Sequence, residues 1–202
     1  VNCYGVVRDC LRDWGTHPVL IEQSSESAFR EVHAAGLGAR VDQIVGLLSG
    51  AGVREGQVVA LFLGNSIEFV CAFLALLRME AVPAPLMLDY RSTELREIFA
   101  NAQPAAVITE AAHLPLLEEH LRGAAVFVRQ GAELALLRRG DAAADAPPPA
   151  GTASINYTYR GTGRPLGALV PHGQYLHGAE ALQEGLQGRG AERMLVVLPL
   201  AQ

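Results

Sequence analysis

The sequence predicts an α/β fold with a mainly parallel sheet and flanking helices. Three observations carry that prediction. From residue 58 onward, short apolar runs alternate with segments of helical period, the mark of right-handed βαβ units. The apolar runs are apolar throughout, so both faces of their sheet are covered. Half of the 202 residues are hydrophobic and only 18% are charged, a composition that fills a core and argues against disorder.

Taken in order, Cys3, Val7, Cys10, Leu11 and Trp14 form one apolar stripe, which predicts a helix over 3–14 with both cysteines packed inward. Pro18–Glu22 reads as a short strand. Ser27 is placed to N-cap a helix running to about Ser49, with Leu37, Val41, Ile44 and Leu48 buried and Gly50-Ala-Gly52 ending it. Strands follow at Val58–Leu63, Ala81–Leu86, Ala105–Thr109 and Ala125–Val128. Between them lie helices at Ser66–Met79, Ser92–Asn101 and Leu114–Leu121. The helix at 66–79 is apolar almost all round and therefore buried, and Pro83 and Pro85 disturb regular pairing of the strand that follows it. Gly131–Leu137 reads as a helical turn, and the Ala/Pro-rich stretch 140–150 as a linker or surface loop. That stretch divides the chain into a first βα lobe, 1–150, and the start of a second, 151–202. The second contains strands at Ala153–Tyr159, Ala168–Val170 and Met194–Leu198 and a helix at Gly173–Leu186.

Composition excludes several function classes. A net charge of −5 argues against a nucleic-acid partner. All sixteen basic residues are arginine, so any lysine-dependent step needs a lysine from elsewhere. Three cysteines without a C-x-x-C make no disulfide framework or zinc ribbon and fit a reducing compartment. With no leader-like N-terminus and no apolar run long enough to span a bilayer, the expectation is a cytoplasmic protein without a membrane span. The histidines make no metal set: His172 and His177 are five apart, and His113 and His120 lack H-E-x-x-H spacing. No nucleophile elbow is present. The chain opens on Val1 and closes on the strand-like Val196-Val-Leu-Pro-Leu-Ala-Gln202, which reads as a chain cut rather than finished.

The stretch with chemistry in it is Asn156-Tyr-Thr-Tyr-Arg-Gly-Thr-Gly-Arg-Pro-Leu-Gly167. Glycines let backbone N–H groups converge on an anion, threonine hydroxyls donate to phosphate oxygens, and arginine binds them in a fork. The spacing is neither G-x-x-x-x-G-K-[ST] nor the dinucleotide-binding G-x-G-x-x-G. By itself such a loop is most often only a turn.

In context it resembles the phosphate-binding signature of the AMP-forming adenylating enzymes, Y-T-S-G-T-T-G-x-P-K-G-[VA] followed by a short strand and [TP]-H. Tyr157, Thr158, Thr162, Gly163, Pro165, Gly167, Ala168 and His172 stand in register. Further stretches agree in order and spacing. Gly52-Val-Arg-Glu-Gly-Gln-Val-Val-Ala-Leu61 resembles G-V-x-x-G-D-x-V-A-[LI]. Gly64-Asn-Ser-Ile-Glu-Phe69 resembles P-N-S-x-E-F, and Ala72-Phe-Leu-Ala75 its following helix. Ala81-Val-Pro-Ala-Pro-Leu86 resembles A-V-x-x-P-L, Ala105-Ala-Val-Ile-Thr109 also fits, and Leu198-Pro-Leu-Ala201 resembles the start of L-P-L-x-H.

The resemblance implies the first part of the large N-terminal domain of an acid–CoA ligase-like fold. It implies ATP, Mg2+ and coenzyme A for the complete enzyme, and a small carboxylic acid as substrate. A carrier protein or a further C-terminal portion is a possible partner. A carboxylate attacks the α-phosphate of ATP, giving an acyl-adenylate and pyrophosphate, and a thiol then takes the acyl group. The cofactor-binding candidates carried over are Thr158, Arg160, Gly161, Thr162, Gly163, Arg164 and Gly167. The substrate-binding candidates are His172 and Gln202, and no catalytic residue or metal ligand is assigned. The departures are Tyr159 for serine, Arg160 for glycine, Gly161 for threonine, Leu166 for lysine and Gln202 for histidine. Arg160 and Arg164 are the residues that would restore positive charge. These residues alone are expected not to catalyse adenylation. The alternative is a non-catalytic acyl- or nucleotide-binding or interaction module derived from that family; an unrelated Rossmann-like domain is a third reading.

Overall fold

The computed structural model describes residues 2–25, 28–141, 147–158, 164–186, 196 and 200–201. Its centre is a five-stranded sheet of β3 (Val58–Phe62), β4 (Val82–Pro85), β5 (Ala106–Glu110), β6 (Ala125–Gln130) and β7 (Glu133–Arg138), in the order β4-β3-β5-β6-β7. The first four are mutually parallel, as the sequence predicts, and β7 joins antiparallel. Strands β3 and β4 are buried at every position. Alternate residues sort onto two faces. Val59, Leu61, Ile108 and Phe127 pack under α2 (Ala34–Gly50) and α3 (Ile67–Arg78). Val58, Ala60, Phe62, Val107 and Val126 pack under α4 (Ser92–Ala102) and α5 (Leu114–Leu117).

Helix α3 starts where Ser66 accepts the backbone N–H of Phe69 at 3.1 Å, an N-cap. It is apolar nearly all round because it is sandwiched, but it carries one acid, Glu68, only 3% exposed at the side chain. That carboxylate lies in the helix's first turn, where the macrodipole favours it. Arg30 grips both its oxygens, at 3.0 and 2.8 Å, and also pairs with Glu22. Arg129 stands 3.4 Å from Glu68 and donates to Glu110 at 2.8 Å, and Arg40 stands 3.6 Å away. Burial pulls the Glu68 carboxyl upward, but the Arg30 hydrogen bonds, its backbone bond and the charges of Arg30 and Arg129 leave it lowered.

Three expectations are corrected. The helix expected from Ser27 begins at Ala34, because 28–33 form β2 (Ala28–His33), antiparallel to β1 (Pro18–Ser25). Phe29 and Glu31 are exposed while Val32 is buried, a period of two too short to stand out from the helical pattern beside it. The helical turn expected at 131–137 is instead β7, reached by a tight turn from Gln130 to Glu133 with Gly131 at φ 63°, which glycine adopts without strain. Helix α1 (Cys3–Trp14) forms as predicted, but only Cys3 and Tyr4 are buried; Cys10 and Trp14 are exposed. Leu11 still packs against the core, so the stripe is covered in part and not along its whole length.

The second strand pair, β8 (Thr152–Thr158) and β9 (Leu166–Pro171), is antiparallel and leads into α6 (His172–Leu186). The strand expected at 194–198 falls outside the described residues apart from Val196. Strand β8 lies beside β4 without joining its ladder. The prolines explain this. Val82 and Leu86 donate toward β3, so positions 83 and 85 face outward, where Pro83 and Pro85 have no N–H to offer. Ile155 and Tyr157 instead pack into the core with Val82 and Ala84.

Glu68→Gln is expected to lower unfolding free energy by about 3 kcal/mol at neutral pH, because it removes the buried charge on which Arg30, Arg40 and Arg129 converge. The pH sign follows from the lowered carboxyl: its contribution is present above its usual 4.5 and is lost as pH falls through the lower folded value. Urea denaturation from pH 7 to pH 3 should therefore show a steeper acid loss in the parent chain than in the variant.

Candidate phosphate-loop site

The β8–β9 hairpin sets the geometry of the site. Thr152 and Val82 share one cavity wall at the start of their strands. At the other end the Tyr90 hydroxyl, beyond β4, donates to the Tyr157 carbonyl at 3.0 Å. Strand β8 therefore runs in the same direction as β4, and the loop joining β8 to β9 opens at the carboxyl end of the parallel strands. Ligands of open α/β sheets bind at that end, where strand order reverses; here the order reverses between β3 and β5.

The base of the loop is fixed. The Tyr157 side chain is buried, and its hydroxyl donates to Asn101 Oδ1 at 2.7 Å. Burial, then the neighbouring Tyr90, pushes its phenol up to about 12. Tyr157 pairs with Gly167 and Thr158 with Leu166. A Cβ on Gly167 would stand 3.0 Å from Ile155 Cγ2 and 3.1 Å from Tyr157 Cε1, so any side chain here crowds the tyrosine ring. Leu166, where the resembling signature has lysine, is 56% exposed.

Of the predicted site residues, Thr158, Arg164 and Gly167 stand together where the hairpin opens, with Thr158 and Arg164 exposed. Arg160, Gly161, Thr162 and Gly163 lie outside the described residues, as does Gln202. Its neighbours are placed: the Leu200 N–H donates to Asn65 Oδ1 at 2.8 Å and Ala201 is buried. Asn65 follows β3, so the chain's last described residues also reach the carboxyl end of the sheet.

His172 is not brought to the loop. It stands at the opposite end of β9, about 20 Å away at roughly 3.3 Å per residue. Its Nδ1 lies 3.1 Å from Cys3 Sγ. Burial lowers the imidazole's pKa against the pull of Glu80, and burial raises that of the thiol. The contact is one between neutral groups that packs α1 against α6. Strand length therefore separates His172 from the loop end of the hairpin.

Sequence reasoning passed over Tyr90 and Asn101, which hold the site's framework; Asn65 and Glu68 it quoted only within the stretch Gly64–Phe69, without the contacts they make. Glu68 also carried a signal of its own, a lone acid in an otherwise apolar helix, which demands a partner.

The family model described as AMP-binding enzyme matches residues 11–202. The chain belongs to the AMP-binding enzyme family. Among relatives of this AMP-binding family chain, the crotonobetaine/carnitine–CoA ligase of Salmonella paratyphi A is 28% identical over 115 residues, covering 57% of the chain and 22% of that ligase. Tyrocidine synthase 2 of Brevibacillus parabrevis is 31% identical over 156 residues, 77% of the chain and 4% of the synthase. Among solved structures, the O-succinylbenzoate coenzyme A synthetase (MenE) of Bacillus subtilis in complex with AMP superposes with a TM-score of 0.77 at 21% identity, covering 97% of the chain and 49% of that protein. The chain thus spans about a fifth of the ligase and half of the synthetase. Among its described residues no helix is long and apolar enough to cross a membrane.

Gly167→Ala is expected to destabilise the AMP-binding family chain by about 1–2 kcal/mol, because the added methyl meets a ring that its Asn101 bond holds in place. Tyr157→Phe should cost about 1 kcal/mol by leaving the Asn101 oxygen without that donor. Thermal and urea denaturation of both variants check this.

Proposed function

We propose that this chain is the N-terminal part of an ATP-dependent enzyme that activates a carboxylic acid. The acid's carboxylate attacks the α-phosphate of ATP, pyrophosphate leaves, and the acyl group of the resulting adenylate passes to a thiol of coenzyme A or of a carrier protein. One observation carries the reading. In a chain of the AMP-binding enzyme family, the hairpin loop in register with the family's phosphate signature opens at the carboxyl end of the parallel strands, flanked by Thr158 and Arg164.

In this reading the loop holds the β- and γ-phosphates. Glycine N–H groups and the Thr158 and Thr162 hydroxyls donate to phosphate oxygens, while Arg160 and Arg164 supply the charge that Leu166 lacks. This is catalysis by positioning and fixed electrostatics. The residues near Gln202, anchored through Leu200 on Asn65, belong to the acid's side of the site. Mg2+, when bound, would neutralise phosphate charge; among the described residues no group of three or more His, Cys, Asp or Glu is fit to hold it. Leu166 favours one rival, a non-catalytic relative that binds acyl or nucleotide ligands.

Calorimetric titration with ATP–Mg2+ and with a non-hydrolysable acyl-adenylate analogue tests the reading. Binding of both is expected, and binding of neither overturns it. Arg160→Ala and Arg164→Ala should each weaken ATP by about tenfold, the scale of one charge-assisted hydrogen bond, and Leu166→Lys should tighten it. Unchanged ATP affinity in both arginine variants would remove those residues from the phosphate site.

A further inference from the structure

Between α4 and the chain that enters β6 lies a cavity of about 720 Å3, within the range of small-molecule sites. Pro104, just before β5, also lines it, so it opens at the amino end of the parallel strands, opposite the phosphate loop. Its charges do not balance. One carboxylate, Glu119, meets two guanidiniums, Arg96 and Arg122. Glu119 is already held by the Ser92 hydroxyl, and Arg96 stands 3.9 Å from it. Arg122 has no hydrogen bond or ion pair among the described residues, so one whole guanidinium fork is unspent.

His120, in the same wall, has a spare acceptor. Its side chain is only 4% exposed, and its ring centroid lies 5.7 Å from that of Phe99. Nε2 stands 3.4 Å from both the Glu119 carboxylate and the Ser92 hydroxyl oxygen. The Nε2 proton therefore faces the carboxylate and Nδ1 is left as an acceptor, with no partner among the described residues. Burial lowers the imidazole's pKa against the pull of Glu119, so the ring is uncharged at neutral pH. Phe99 and Pro104 supply an apolar floor. Glu119 and the carboxyl end of α4 both oppose negative charge here, which favours a ligand with one negative charge over one with two.

We propose that this cavity binds a phenolic monoanion, with its anionic head on Arg122, its ring against Phe99 and Pro104, and its hydroxyl donating to His120 Nδ1. The guanidinium fork suits an oxyanion that offers two oxygens side by side, and a flat ring matches the apolar floor. Glu119 limits the affinity and sets a sign that can be tested. The site uses none of the residues assigned to acid activation and lies at the other end of the strands, so it stands or falls independently of that reading.

The probe is para-hydroxybenzenesulfonate, a monoanion with no carboxyl to activate, titrated into the 202-residue chain by calorimetry. Its controls are para-hydroxybenzenesulfonamide, which lacks the charge, and benzenesulfonate, which lacks the hydroxyl. The probe is expected to bind about tenfold tighter than the sulfonamide, the scale of one charge-assisted contact, and several-fold tighter than benzenesulfonate. Arg122→Gln should abolish the preference for charge, and Arg122→Lys should keep part of it. His120→Phe should abolish the preference for the hydroxyl and leave the preference for charge. Glu119→Gln should tighten the probe several-fold, the direction expected from removing a like charge. Circular dichroism melting establishes that each variant is folded, and ATP affinity should not change in any of them. No binding of the probe, equal binding of the probe and either control, or an unaltered preference for charge in folded Arg122→Gln overturns the proposal.

Discussion

A single buried carboxylate sets the terms for the N-terminal half of this molecule. Glu68 lies where β1, β2, α2, α3, β5 and β6 converge, and each of the other five elements contributes one charged side chain to the cluster around it. Burial alone would push such a carboxyl toward its neutral form. The surrounding arginines reverse that and hold the β1–β2 hairpin against the end of the sheet. Ion pairs of this kind seldom add net stability over an apolar filling, but breaking one is costly. The cluster therefore fixes an arrangement more than it strengthens one.

A second constraint acts at the other edge of the sheet. Pro83 and Pro85 strip donors from the outer side of β4, so β8 approaches through side chains and not through a ladder. The hairpin is then held by packing of Ile155 and Tyr157 and by two hydroxyls, those of Tyr90 and Tyr157. These contacts fix the base of the loop at the carboxyl end of the parallel strands. The same hairpin carries His172 to the far end, where it meets Cys3. Two residues of one sequence motif thus serve opposite ends of one strand pair.

Much of this was legible in advance. The βαβ alternation, the buried stripe of α2 and the apolar helix at 66–79 are local signals, and they survive folding because the sheet buries what the pattern says is apolar. The family was legible from the register of several short stretches, none decisive alone. The misread segments were short. Residues 28–33 and 133–138 hold too few positions to separate a period of two from one of 3.6, and pairing with a neighbouring strand decided them. Cys10 and Trp14 were misread because a stripe shows which residues of a helix share a face, not which of them meet a neighbour.

The sequence by itself determined the fold class, the family and the loop that carries its phosphate signature, because periodicity and motif order are properties of the chain alone. Tertiary structure decided which of those residues meet. Thr158, Arg164 and Gly167 share one end of the hairpin and His172 the other, Asn101 and Tyr90 anchor a tyrosine distant in sequence, and Glu68 gathers charge from five other elements. Such contacts are set by strand direction and sheet order, and neither is written in local spacing.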